Sequence, residues 1–152
     1  MATILIADDD PIVREIACEM LRSTDHAAVM AEDGLEVLKL LSALHVDLLI
    51  TDMLMPKMDG VEVMMEARIK HPSLKILAIS GGGSVGADYI LHTAKVLGAD
   101  AVLKKPLRLN TFLETVDDLL YDRVRGRIGR PRERVTSGVT AGPASEPSPT
   151  PA

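Results

Sequence analysis

Asp8, Asp9, Asp52, Ser80 and Lys105 are the residues of this sequence whose types could act together chemically. Each closes a short apolar run: Thr3–Ala7 precedes Asp8-Asp9, Val46–Thr51 precedes Asp52, Leu74–Ile79 precedes Ser80, and Ala101–Leu103 precedes Lys104-Lys105-Pro106. Singly they are ordinary, since an aspartate often begins a turn and a serine before glycines often bends the chain. Gathered in one crevice, the carboxylates would be a costly set, because two like charges about 4 Å apart repel by roughly 4 kcal/mol at an effective dielectric near 20. Either one carboxyl is protonated, with a raised pKa, or a cation sits among them. Oxygen donors with no histidine or cysteine beside them favour a hard ion, and a few carboxylates completed by water and a phosphate oxygen suit Mg²⁺ better than Ca²⁺. The spaced ligands of an EF-hand loop are absent. Such a crevice fits phosphoryl transfer onto an aspartate: Asp52 attacks in line, the cation and Lys105 neutralise the equatorial oxygens, and Ser80 donates a hydrogen bond to one of them.

The elements that would carry these residues alternate in period. The apolar runs read as strands over Thr3–Ala7, Ala27–Ala31, 46–51, Leu74–Ile79 and 101–103. Between them lie helical stretches. The first has Asp10 as N-cap, Pro11 at its first position and an apolar face of Ile12, Ile16 and Met20 with Val13 and Ala17 beside it. The second follows Glu32-Asp33-Gly34 with Val37, Leu38, Leu41 and Leu44 on one face; the third opens at Asp59-Gly60 and ends before His71-Pro72. The fourth carries Ala87, Ile90, Leu91, Ala94 and Leu97 and closes at Gly98, and the last carries Leu109, Phe112, Leu113, Val116, Leu119 and Leu120. Five strands alternating with five helices predict an α/β fold, a doubly wound, flavodoxin-like parallel sheet in the order 2-1-3-4-5. Its switch point between strands one and three brings Asp8, Asp9 and Asp52 to one crevice, with Ser80 and Lys105 arriving on the neighbouring strands.

Asp8-Asp9 after an apolar strand, Asp52-Met53-Leu54-Met55-Pro56 with Asp59-Gly60, Ser80 and Lys105-Pro106 together resemble the receiver domain of bacterial two-component response regulators, over residues 3 to about 121. The resemblance implies that Asp52 is the phosphoacceptor, that Asp9, Asp52 and the backbone carbonyl of Leu54 bind Mg²⁺ directly, and that Asp8 acts through water. It implies a switch role for Ser80, a phosphoryl contact for Lys105 and a cis Lys105-Pro106 bond. The implied partners are a sensor histidine kinase or histidine phosphotransfer protein and a downstream protein target, met through the helix around Tyr89 and His92, the fifth strand and the last helix. Where the family often has an aromatic, three residues before the lysine, this chain has Val102. Gly81-Gly82-Gly83 gives little resistance to backbone change beside Ser80.

Composition sets the bounds. At 152 residues with 47% hydrophobic and 26% charged residues, one soluble domain plus a tail is expected. The boundary is expected near 123, with residues 124–152 as an arginine-rich, then Pro/Ser/Thr/Ala-rich disordered tail. No output domain fits in that length, so a stand-alone receiver is expected, one that assists its own phosphorylation and dephosphorylation and is not an enzyme acting on a separate substrate. Residues 1–121 carry 11 basic and 19 acidic side chains, which argues against nucleic-acid binding by the folded part, while six arginines crowd 123–134. No apolar run is long enough to span a bilayer and the start MATILIADDD lacks the marks of a signal peptide, so a cytoplasmic protein is expected. The single Cys18 excludes an internal disulfide. The methionines Met53, Met55, Met58, Met64 and Met65 are expected to fill gaps around the loop and helix after Asp52.

Gly81-Gly82-Gly83-Ser84-Val85-Gly86 spells the dinucleotide fingerprint, but it follows the fourth strand, and Asp100, the acid at fingerprint spacing, begins the fifth strand at the far end from the crevice. Two rival functions share part of the pattern. A Mg²⁺-dependent aspartyl-phosphate phosphohydrolase would need a second acid two residues after Asp52, where Leu54 stands, and a phosphorylation-independent interaction module would lack part of the constellation.

Overall fold

The computed structural model describes residues 1–55, 57–81 and 86–125. Its elements in chain order are β1 (Thr3–Ala7), α1 (Pro11–Leu21), β2 (Ala27–Ala31), α2 (Gly34–Ala43), β3 (Leu48–Asp52), α3 (Gly60–Lys70), β4 (Lys75–Ser80), α4 (Ala87–Val96), β5 (Ala101–Lys104) and α5 (Leu109–Arg125). All pairings are parallel and the order is β2-β1-β3-β4-β5, as the alternation of elements predicts. The expected tail beyond residue 125 lies outside the described residues, as do Gly82–Val85 of the glycine-rich run.

Side chains alternate across the sheet, as strand geometry requires. Leu5, Ala7, Leu49, Ile76 and Ala78 point to one core beneath α2, α3 and α4. Ile4, Ile6, Leu48, Ile50, Leu77 and Ile79 point to the other, beneath α1 and α5, where Phe112, the chain's one phenylalanine, is fully buried. Strands covered on both faces read as unbroken apolar runs.

Three aspartates start three helices. The carboxylates of Asp10, Asp33 and Asp59 accept from the N–H groups of Ile12, Glu36 and Glu62, satisfying donors that have no partner within the helix. Pro11 occupies the first turn of α1, and Gly98, at φ 121°, turns the chain after α4.

Three details differ from the sequence reading. The inward row of α1 is the partly buried Val13 with the buried Ala17 and Leu21, whereas Ile12 is 64% exposed and Ile16 44%. The row 12–16–20 stands roughly 100° round the helix from 13–17–21, and of its three residues Met20 alone packs against the core. Leu44 and Met65 also face solvent, Leu44 because α2 ends at Ala43 and Met65 because it lies on the outer side of α3. Strands β3, β4 and β5 each end one residue later than expected, at Asp52, Ser80 and Lys104, because the parallel ladders continue through Asp52↔Ile79 and Ser80↔Lys104, and β3 and β4 begin later, at Leu48 and Lys75.

Arg68 braces the end of the sheet away from the aspartates. Its guanidinium donates to the carbonyls of Pro72, Leu74 and Gly98 and to Asp100 Oδ2, while that same oxygen accepts from Ile76 N–H. Asp100 is therefore held at the amino end of the sheet, as its place at the head of the fifth strand predicts.

Gly60 touches the strand that carries Asp52. A Cβ there would come 2.2 Å from the Asp52 carbonyl oxygen and 2.6 Å from Met53 Cα, both backbone atoms. Gly60→Ala is expected to lower the free energy of unfolding by about 2 kcal/mol in urea titrations. Gly81→Ala, where a Cβ meets nothing within 4 Å, is the control and should change it by less than about 0.5 kcal/mol.

Candidate functional site

The carboxyl ends of β1, β3, β4 and β5 meet at one crevice. Asp8, Asp52 and Ser80 are buried there, Asp9 is exposed and Lys105 is half-buried. All five residues singled out by type and spacing are thus at these strand ends.

Asp8 is fixed on several sides. Its N–H donates to the Ala31 carbonyl, its Oδ1 accepts from Asp10 N–H at 2.9 Å, and its carbonyl accepts from Arg14 Nη1 at 2.7 Å. Its Oδ2 is left for Lys105, whose Nζ lies 2.8 Å away and 3.5 Å from Asp52 Oδ1. Lys105 reaches this position because its N–H donates to the Ser80 carbonyl at 2.8 Å, carrying the β4–β5 ladder past β5; the Lys105-Pro106 bond is cis, as expected.

One oxygen from each of Asp8, Asp9 and Asp52 lies within 4.8 Å of the others. A hard cation with oxygen ligands at about 2.0–2.6 Å bridges that span after small side-chain adjustments. The donor set therefore fits a divalent metal ion. Leu54, the expected carbonyl donor, begins the loop beyond β3 with its side chain 58% exposed between the buried Met53 and Met55. That loop is closed by Gly60 N–H on the Met53 carbonyl at 3.0 Å. Lys57 takes a φ of 70° and places its ammonium 3.3 Å from Asp33, the N-cap of α2.

The family model for the response regulator receiver domain matches residues 4–117. The chain belongs to that family. The receiver is 34% identical over 117 residues to the response regulator MprA of Mycobacterium ulcerans, covering 77% of this chain and 49% of that protein. It is 29% identical over 136 residues to the transcriptional regulatory protein GlrR of Escherichia coli, covering 90% of this chain and 30% of that protein. The receiver thus spans between about a third and a half of the length of these relatives. Among solved structures, a receiver domain from Clostridium thermocellum superposes with a TM-score of 0.74 at 23% identity, covering 82% of this chain and 98% of that one. A CheY-like receiver from Methanospirillum hungatei also gives 0.74, at 24% identity and 83% and 98% coverage. Both bear on the fold alone. Receivers of this family belong to two-component phosphorelay signalling, and no helix among the described residues is long and apolar enough to cross a membrane.

Arg14, Thr51 and Lys57 support the receiver's crevice without having been singled out from sequence. Arg14 holds the Asp8 carbonyl, the buried Thr51 hydroxyl donates to the Asp52 carbonyl at 3.0 Å, and Lys57 ties the loop after β3 to α2. The Arg14 bond goes to a backbone carbonyl, which no residue type marks, and Lys57 and Asp33 are too far apart in sequence for their pairing to be visible.

Burial, then the charge of Asp8, pushes the Asp52 carboxyl up from 3.8 to about 6 even though Lys105 pulls the other way; Asp9 adds a smaller upward push. For Lys105, burial opposes the charge, but the Asp8 contact and the charge of Asp52 outweigh it and hold the ammonium above its ordinary value. A carboxyl raised from 3.8 to about 6 binds its proton more tightly in the folded state. In metal-free receiver its contribution to stability is therefore fully present below about pH 4 and is lost as pH rises through 6, by about 3 kcal/mol. Asp52→Asn in EDTA should consequently exceed the parent in stability by about 2–3 kcal/mol at pH 8, the gap closing below about pH 4. Urea unfolding across that pH range measures it.

Proposed function

We propose that this receiver takes a phosphoryl group onto Asp52 from a phosphohistidine of a sensor kinase or histidine phosphotransfer protein. The observation that carries the reading is the Lys105 ammonium set between the Asp8 and Asp52 carboxylates, beside the exposed Asp9. A carboxylate oxygen of Asp52 attacks phosphorus in line, the P–O bond forms as the P–N bond of the phosphohistidine breaks, and the imidazole leaves with the bonding pair. Asp9, Asp52 and the Leu54 carbonyl would hold Mg²⁺ directly and Asp8 through water. When bound, Mg²⁺ supplies positive charge to the equatorial phosphoryl oxygens and screens the carboxylates from one another.

Lys105 serves the same oxygens from the other side. Its ammonium, already 3.5 Å from Asp52 Oδ1, exchanges a carboxylate contact for a phosphoryl one. Ser80, whose backbone carbonyl accepts from Lys105 N–H, donates its hydroxyl to a second oxygen. A shift of these two residues moves the ends of β4 and β5 together and alters a protein-binding surface on α4, β5 and α5. Val102 provides no aromatic to report that shift. In this reading the receiver works in the cytoplasm and acts on another protein.

Incubation with a small acyl-phosphate donor, read by intact mass, tests the assignment. Wild type should gain a single Mg²⁺-dependent phosphoryl adduct and Asp52→Asn none, whereas full phosphorylation of Asp52→Asn at another residue overturns it. Lys105→Ala should still take up the phosphoryl group but lose its effect on partner binding. Asp9→Asn should lose most of its Mg²⁺ affinity in calorimetric titration.

A further inference from the structure

The outer side of α1 is both apolar and acidic. Ile12 and Ile16 are exposed one turn apart, and Glu15 and Glu19 stand exposed on the row beside them, also one turn apart. Glu19 lies 3.7 Å from Arg22, but both side chains are largely in water, and a pair of that kind exchanges partners at little cost. α1 packs beside α5 over the same core, and both helices run from the carboxyl end of the sheet toward its amino end. α5 therefore ends near the end of α1. The sequence that follows it carries the opposite charge: residues 1–121 hold 19 acids to 11 bases, whereas Arg127, Arg130, Arg132 and Arg134 stand against the single acid Glu133 in residues 126–135.

We propose that residues 126–135 of this chain dock along the outer side of α1, with Arg130 on Glu19, Arg132 on Glu15 and the Pro131 ring on Ile16. The spacings match. Alternate residues of an extended chain are about 6.6 Å apart, and residues four apart on a helix are separated by about 6.0 Å along its axis. Successive side chains of an extended segment point to opposite sides, which turns the arginines to the glutamate row and Pro131 to the isoleucine row. Pro131 fixes its own φ and favours extended backbone at Arg130, so less conformational freedom is lost on docking. The reach is sufficient as well. With 17 residues against 11, α5 exceeds α1 by six, about 9 Å, and packed helix axes lie about 8–10 Å apart, while residues 126–130 span about 16 Å when extended. A short tether holds the segment near α1 at an effective concentration in the millimolar range, an advantage that no free basic partner shares. Ile12 follows Asp9 by three residues, so the docked segment reaches the rim of the crevice and competes there with any protein that approaches Asp52. That consequence rests on the phosphoacceptor reading; the docking does not.

Paramagnetic broadening of amide NMR signals in the full chain tests the proposal. A nitroxide on Val135→Cys, in a Cys18→Ala background, should broaden Ile12 and Ile16 more than Leu21 in low salt, because the docked segment runs back toward the crevice, and the effect should vanish in about 1 M NaCl. Glu15→Lys with Glu19→Lys should abolish it, and adding Arg130→Glu with Arg132→Glu should restore it. In a mixture of isotope-labelled chains without nitroxide and nitroxide-bearing chains at natural abundance, α1 should show no broadening. Stronger broadening at Leu21 than at Ile12, broadening unchanged by the two lysine substitutions, or equal broadening in the mixture, which would place the segment on a second copy, would each overturn the proposal. If Cys18→Ala does not fold, wild-type amide shifts compared with those of Arg130→Glu/Arg132→Glu carry the test: the changes should centre on residues 12–19, and their absence there is equally fatal. Phosphoryl uptake from an acyl phosphate, measured on wild type, reports separately: its failure overturns the phosphoacceptor reading and leaves the docking standing.

Discussion

One ammonium group makes the crevice tolerable. Lys105 Nζ sits 2.8 Å from Asp8 and 3.5 Å from Asp52, two carboxylates that burial would otherwise leave facing each other. A pair of like charges about 4 Å apart costs roughly 4 kcal/mol at an effective dielectric near 20, a large part of a small domain's whole stability. The supports of the site follow from that constraint. The Asp8 backbone and Oδ1 are tied to Ala31, Asp10 and Arg14, so that Oδ2 alone turns to the lysine. Asp52 ends a strand buried over its whole length. Lys105 is aimed by a backbone bond to Ser80, which makes the position of the cation a property of the sheet.

The sheet bears this load because its centre is apolar on both faces. β1, β3 and β4 are sandwiched between two cores, and their carboxyl ends are the places where the pattern changes from apolar to ionisable. The close approach of Gly60 to the Asp52 carbonyl locks the start of α3 against β3, and Gly34 approaches the Met58 carbonyl in the same manner. The start of α3 is therefore in direct contact with the end of β3, and the start of α2 with the loop before α3.

The strand order and the site were legible because both rest on local signals. Short apolar runs that each stop at a chemically distinct residue are visible along the chain, and the parallel order follows from the alternation of elements. What sequence alone misassigned was the rotation of α1. Ile12 and Ile16 look like core by residue type, but both are exposed, and the row that packs on the sheet runs through Val13 and Ala17 to Leu21. The tethers Arg14 to Asp8 and Lys57 to Asp33 were unreadable for a different reason. A side chain that donates to a backbone carbonyl or spans 24 residues has no periodicity to reveal it.

The Arg68 brace gives the two ends of the sheet different mechanical characters. At the amino end one guanidinium joins the α3–β4 and α4–β5 connections, and Asp100 closes the circuit onto β4. At the carboxyl end β4 stops at Ser80 and β5 leads into Lys105. Strands clamped at one end and loaded at the other behave as cantilevers: a small displacement at Ser80 or Lys105 bends the free tips while the clamped roots keep their register. Amide hydrogen exchange should follow the same gradient along β4, slow near Ile76 and faster toward Ser80.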